Sequence, residues 1–324
     1  MLSKRIKQTV KRCLATTAGW RITAPLRRQG VIALTYHRIN ANTDFFPGMH
    51  VSQFRRQMEW LRKNCTPIWP EDLHDAMRRS SRIRPSVIIT FDDGYRNYYD
   101  NAYPILHEMR IPAVMFLSTD CMDRGGLIWP EALYWAVMTT RKSSAKTPWQ
   151  PEQSVSLLSA KDREIFVTKC KHYLKGILDK DRQIWLSKLF QEMDVPQPTD
   201  ELDRQMLTWN EVRATREGTR FGGHSHTHPI LSQLSSDAME QEIVKCRDRI
   251  TVEIGESPRC FAYPNGRACD FNDTTKQLLR RHGFNMAFSN IEGINGRSVD
   301  PFALFRQPSG GTTIGDFAAL VGQA

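Results

Sequence analysis

Ser86-Val87-Ile88-Ile89-Thr90-Phe91-Asp92-Asp93-Gly94-Tyr95 is an apolar run that ends in two adjacent carboxylates and a glycine. Val, Ile and Thr suit a pleated strand, Pro85 punctuates its start and Gly94 supplies a turn, so the stretch predicts a buried strand delivering acid groups to a rim. Neighbouring residues of a regular strand face opposite sides, which would part Asp92 from Asp93. A bend at the strand end would let both converge on one pocket. A competing reading is an Asp-Asp-Gly turn in a surface loop, which the turn chemistry of Asp and Gly also allows.

Outward from this run, strand and helix patterns alternate. Val31-Ile32-Ala33-Leu34-Thr35-Tyr36-His37 reads as a buried strand ending in a histidine, 52–63 as a helix, 98–109 as another, and Pro112-Ala113-Val114-Met115-Phe116-Leu117-Ser118 as a further strand. Pro70-Glu71-Asp72-Leu73 opens a helix with proline near its first turn. Further strands are expected near 259–263, 285–289 and 303–306, giving seven, headed by Val31, Val87, Ala113, Arg220, Arg259, Asn285 and Ala303. Such alternation predicts parallel α/β structure. Residues 125–205 break it with helical patterns, one on Ile165, Phe166, Tyr173, Leu174 and Ile177 and one on Ile184, Trp185, Leu189 and Phe190. They read as a helical insertion that either walls the site or packs as a subdomain.

Phe221-Gly222-Gly223-His224-Ser225-His226-Thr227-His228-Pro229 holds three of the nine histidines. On a helical turn, His224 and His228 would share one side with β-carbons about 5–6 Å apart, a gap that a metal ion can bridge. A third ligand from elsewhere would leave a position for water. His226, between them, is expected to point elsewhere. A lone histidine is more often structural, but the spaced pair beside glycines favours a metal site.

Composition narrows the classes. The 324 residues suffice for one large α/β barrel or two small domains, and 40% apolar content supports a full core. Net charge is +10, yet Lys4, Arg5, Lys7, Lys11, Arg12, Arg21, Arg27 and Arg28 precede Gly30 and no acid appears before Asp44, so the body is nearly neutral. A nucleic-acid groove needs a basic stripe on the folded surface, so no nucleic-acid partner is expected. Seven scattered cysteines without a Cys-x-x-Cys pair read as neither a disulfide framework nor a zinc ribbon, which suits a reducing compartment. Residues 1–29 form a basic arm in which Leu2, Ile6, Val10 and Leu14 recur every four residues, an amphipathic helix with a narrow stripe. This arm lacks the apolar centre of an export signal, and no run approaches a membrane span. The expectation is a cytoplasmic protein, with the arm either touching a membrane face or packing on the barrel.

Thr90-Phe91-Asp92-Asp93-Gly94 together with His224-Ser225-x-x-His228 resembles the first two motifs of the polysaccharide deacetylase (NodB-homology) family, over about residues 31–310. The resemblance implies an incomplete (β/α)7-type barrel, with active-site residues at the strand C-terminal ends. It implies a divalent metal, zinc or another such as cobalt, held by Asp93, His224 and His228, with Asp92 as the catalytic base. It further implies a glycan substrate carrying N-acetylhexosamine and an oxyanion donor in the backbone N–H of Asn265, within Phe261-Ala262-Tyr263-Pro264-Asn265-Gly266. Ser225 and Thr227 would orient the ligands.

Three departures stand out. Most of the family carries its acid in a Leu-x-His near the C-terminus, and this chain has no histidine after His282. Tyr36-His37 after an apolar run resembles instead the permuted branch, which includes exopolysaccharide poly-N-acetylglucosamine deacetylases, so His37 is the expected acid. Its alternative is a core histidine. The third motif has Ala262 where an arginine steadies the base; Arg306, in Ala303-Leu304-Phe305-Arg306-Gln307-Pro308, is the expected substitute, its alternative being an ordinary strand-end charge. A fourth motif, with aspartate and tryptophan, is not found. These gaps leave a second reading open, a non-catalytic glycan-binding protein on the same fold. Trp129, Tyr134 and Trp135 either stack on sugars or form core.

Overall fold

A computed structural model describes residues 9, 11, 13–41, 44–79, 81–196, 204–309 and 313–323. Eight strands build its main sheet: β1 Val31–Tyr36, β2 Thr66–Pro67, β3 Ser86–Phe91, β4 Ala113–Leu117, β5 Thr219–Gly223, β6 Cys260–Ala262, β7 Met286–Phe288 and β8 Gln307–Pro308. Their order is β7-β6-β5-β4-β3-β1-β8, with β2 beside the start of β3, and every pairing is parallel. All six residues of β1 and all of β4 are buried, as expected of parallel strands covered on both faces, which read as continuous apolar runs. The sheet curls with helices around it, an incomplete (β/α) barrel.

The seventh strand expected at 303–306 does not form there. Leu304 makes a single bridge to Phe288 at one sheet edge, while Gln307 pairs with Leu34 at the other. One short segment therefore touches both edges, and it is too brief to run as a regular strand along either. The β2 pair was not foreseen. Tyr98–Ala102 opens the helix expected at 98–109 as a π turn before Tyr103–Met109 continues as α-helix.

Among the described residues the insertion holds three helices, α1 Trp129–Thr139, α2 Ala160–Leu174 and α3 Asp179–Met193, and a short antiparallel hairpin of Ser144–Lys146 with Ser154–Ser156. They enclose an apolar cluster of their own around Leu133, Val137, Phe166, Cys170, Leu186 and Phe190. Trp129 is buried in it. A fully buried Arg182 stacks over the Trp129 ring and donates to the Leu174 carbonyl, closing the α2–α3 junction.

Of the basic arm, Leu2, Ile6 and Val10 lie outside the described residues. Leu14 packs against the barrel core, and the wholly buried Trp20 donates its indole N–H to the carbonyls of Asn64 and Ile83. The Arg27 guanidinium stacks 3.3 Å from the Trp20 ring. Residues 14–27 are thus built into the body. Among the described residues no helix is long and apolar enough to cross a membrane, and the cysteines carry no disulfide.

Candidate active site

The site lies at the C-terminal ends of β1, β3, β5 and β6. The chain leaves β3 through Asp93 at φ 79° and Gly94 at φ 88°, a left-handed bend that turns the two carboxylates to different partners. Few L-residues accept such a φ. Of the six described non-glycine residues with positive φ, four belong here, namely Asp93, Ser225, His228 and Asn265, so backbone strain is concentrated at this rim.

His224 and His228 follow β5, whose glycines have a packing reason. A β-carbon on Gly222 would come within 2.5 Å of the Phe116 ring, so only glycine lets the strand sit that close. The histidines are not on a helical turn as expected. They sit on a loop with Ser225 and His228 both left-handed, which still brings the imidazoles together, 4.9 Å between ring centres. Asp93 Oδ1 lies 3.2 Å from Nε2 of each. All three residues are buried, and one ligand atom from each lies within 4.8 Å of the others. The Ala262 carbonyl takes the His224 Nδ1–H at 2.7 Å, which leaves Nε2 facing Asp93. Ser225 Oγ accepts the His228 N–H at 3.1 Å and so shapes the loop, as expected. Thr227 does not, because it is exposed and bonded to Glu242. His226 points away to Thr119.

Burial alone would push the Asp93 carboxyl up, but hydrogen bonds from His224 and His228 outweigh it and hold the group well below the usual carboxylate range. Burial would push His224 down, and the charges of Asp92 and Asp93 more than offset that, raising it. Carboxylates that stabilise a proton there would equally stabilise a cation. Two imidazoles and one carboxylate, converging and buried, fit a divalent ion of the zinc class.

Asp92, from the same strand end, takes another partner. Arg306 donates from Nη1 to Oδ1 at 2.7 Å and from Nη2 to Oδ2 at 2.8 Å, and both residues are buried. Arg306 Nη1 also donates to Thr90 Oγ1 and Nε to the Ser289 carbonyl. Burial raises the Asp92 carboxyl and Arg306, His224 and His37 lower it, with the net below its ordinary value. The arginine missing at Ala262 is thus matched in space by Arg306, 44 positions further along the chain. His37 is no core residue: its side chain is 51% exposed, with Nε2 3.9 Å from Asp92 Oδ2. Asn265 is left-handed at φ 60°, and its side-chain Nδ2 is buried without a partner.

His37, Asp92, Asp93, His224, His228 and Asn265 line one cavity of about 300 Å³. A second of about 460 Å³ adjoins it, sharing His37, Arg38, Pro47 and Asn290. Sequence reasoning missed several lining residues, among them Arg38, Tyr95, Glu131, Lys171 and Lys175. Arg38 follows the singled-out His37 and was the one most open to discovery; it bonds Glu131 of α1 at 2.7 Å and stacks over Tyr95. Tyr134 was expected to stack on sugars or form core, and it lines this cavity beside Phe46.

A parallel incomplete barrel carries, at its strand ends, an acid pair facing a buried cluster of two histidines and one carboxylate that could hold a metal ion. The chain belongs to the polysaccharide deacetylase family, whose model matches residues 79–152 and 191–287. Poly-beta-1,6-N-acetyl-D-glucosamine N-deacetylase of Escherichia coli (strain K12) is 32% identical over 284 residues, covering 83% of this chain and 35% of that relative. The chain therefore spans about a third of the relative's length. Two solved structures share the fold: the Streptococcus pyogenes deacetylase PplD in complex with acetate (TM-score 0.60, 18% identity, 91% of this chain and 99% of that one), and IcaB from Ammonifex degensii (TM-score 0.59, 18% identity, 92% and 99%).

Proposed function

We propose that the protein hydrolyses N-acetyl groups on a glycan built of N-acetylhexosamine, releasing acetate and a free amine. The observation that carries this is the division of labour at one strand end. Asp92 is held as a carboxylate by Arg306, while the adjacent Asp93 joins His224 and His228. The family match and the name of the Escherichia coli relative support the same chemistry and substrate class.

A divalent ion held by Asp93, His224 and His228, zinc by its donor set, would polarise the acetyl carbonyl and acidify water. The chain's own groups do the rest. Water adds to the carbonyl carbon as Asp92 takes its proton, and Arg306 keeps that carboxylate ionised and oriented. The Asn265 N–H donates to the oxygen on which charge develops. As the C–N bond breaks, His37 in its protonated form gives the amine a proton, since an unprotonated amine leaves very poorly. Its exposure suits a group that must be reprotonated from solvent at each turnover. The two adjoining cavities on either side of His37 suit a substrate longer than one sugar.

Purified protein supplied with zinc or cobalt should release acetate from N-acetylglucosamine oligomers, and chelation should stop it. Asp92→Asn should abolish release and retain bound metal. Failure of every acetylated glycan with every divalent metal tried would overturn the reading and leave a glycan-binding protein.

A further inference from the structure

The insertion supplies the outer wall of the active-site cavity and leaves its charges unevenly matched. Asp92 is taken by Arg306, Glu131 by Arg38, and Asp93 by the histidine pair. Lys171 and Lys175 remain, both lining the cavity from the last turn of α2 and its end. Among the described residues neither forms an ion pair: Asp270, the acid that acts on Lys175, is engaged by Arg267, and Glu131, which acts on Lys171, by Arg38. Residues four apart on a helix are neighbours, and the charge of Lys175 acts against a proton on Lys171.

A helix C-terminus favours cations in general. That preference does not explain why these two face the cavity, because the exposed His172 occupies the same last turn without lining it. Burial lowers the proton affinity of Lys171, Glu131 restores part of it and Lys175 opposes it; burial likewise lowers Lys175, with Arg267 adding to the effect. Half-buried, crowded and without an acid of their own, they are costly unless something anionic arrives. Beside them the cavity is lined by the Arg38–Glu131 pair, and Arg38 Nη2 is a buried donor without a hydrogen-bond partner among the described residues.

We propose that Lys171 and Lys175 form an anion subsite, so that the substrate carries a carboxylate or phosphate beside the sugar whose acetyl group is removed. The position of that acetylated sugar rests on the proposed deacetylase reading. The subsite itself is tested without turnover.

Equilibrium binding to the full chain, freed of metal by chelation, avoids both hydrolysis and direct capture of the anion by the ion. Three ligands are compared at low salt: a neutral N-acetylglucosamine disaccharide, an N-acetylglucosaminyl-glucuronic acid disaccharide and N-acetylglucosamine 1-phosphate. At least one acidic ligand should bind about ten-fold tighter than the neutral one, the scale of a charge-assisted contact. A preference for the second identifies an acidic sugar, and for the third a phosphate. Lys171→Gln with Lys175→Gln should bring the ratio to about one with an unchanged melting temperature. Equal affinity for all three, no binding of any, or a ratio that survives in the double variant would overturn the proposal. If the ratio behaves as expected but zinc-loaded protein releases no acetate from any ligand, the subsite stands and the deacetylase reading falls.

Discussion

Arg306 and Asp92 meet through two parallel hydrogen bonds of 2.7 and 2.8 Å although 214 positions separate them in the chain. Both residues are buried, and the bidentate geometry is one that lysine cannot reproduce.

Removing the arginine should therefore strand a buried carboxylate. Arg306→Ala is expected to lower unfolding stability by about 3–5 kcal/mol, and Arg306→Lys by less. Asp92 would then bind a proton more readily, and acetate release should fall in both variants. Chemical denaturation beside an activity assay checks this; a loss near the surface-pair value of under about 1 kcal/mol would refute the structural role.

His37 and Asp93 should fail in different ways. His37→Ala should lower turnover by about 10²–10⁴-fold, the usual worth of a positioned acid, with normal metal content. Asp93→Ala should lose metal and turnover together. Elemental analysis of the purified variants separates the two roles. Equal metal loss would make His37 a ligand, and undiminished activity would make it a bystander.

The cluster of Asp93, His224 and His228 should couple zinc binding to stability. Zinc at 100 times its dissociation constant should stabilise the chelated protein by about 2.7 kcal/mol, seen as a rise in melting temperature. His228→Ala should show a much smaller rise. An identical response in both would place the ion elsewhere.

The basic arm is expected to bring the protein to anionic lipid. Truncation at Gln29 would remove Trp20 from the core, and Lys11 already pairs with Asp316, so the better variant is Lys4→Gln, Arg5→Gln, Lys7→Gln and Arg12→Gln. At about 1 kcal/mol per basic residue, four changes should abolish flotation with anionic vesicles at low salt. Equal recovery of variant and parent would end the idea and leave the arm as packing.

Much of the barrel was legible from local pattern. Continuous β-branched runs mark Val31–Tyr36 and Ser86–Phe91 as buried parallel strands, because covered sheets demand apolar residues on both faces. Asp92-Asp93-Gly94 and His224-Ser225-x-x-His228 each lie within a few residues, so their chemistry is written in the sequence itself. Left-handed φ at Ser225 and His228 escaped the reading, since neither residue type advertises it, and the pair was assigned a helical turn. Segment 303–306 carries a strand-like composition, but only Leu304 bridges one sheet edge and the pairing with the other begins at Gln307, a division that no local pattern records.

Local pattern suffices for the alternation of strands and helices and for the candidate metal-binding and basic groups, because period and turn chemistry act over a few residues. Which distant groups those acids meet depends on the folded chain. Arg306 reaches Asp92, Arg38 reaches Glu131 of the insertion, and Lys171 comes to face the same cavity. These juxtapositions arise from closing the barrel and packing the insertion against its rim. Charges so brought together out of water interact far more strongly than their spacing along the chain could suggest.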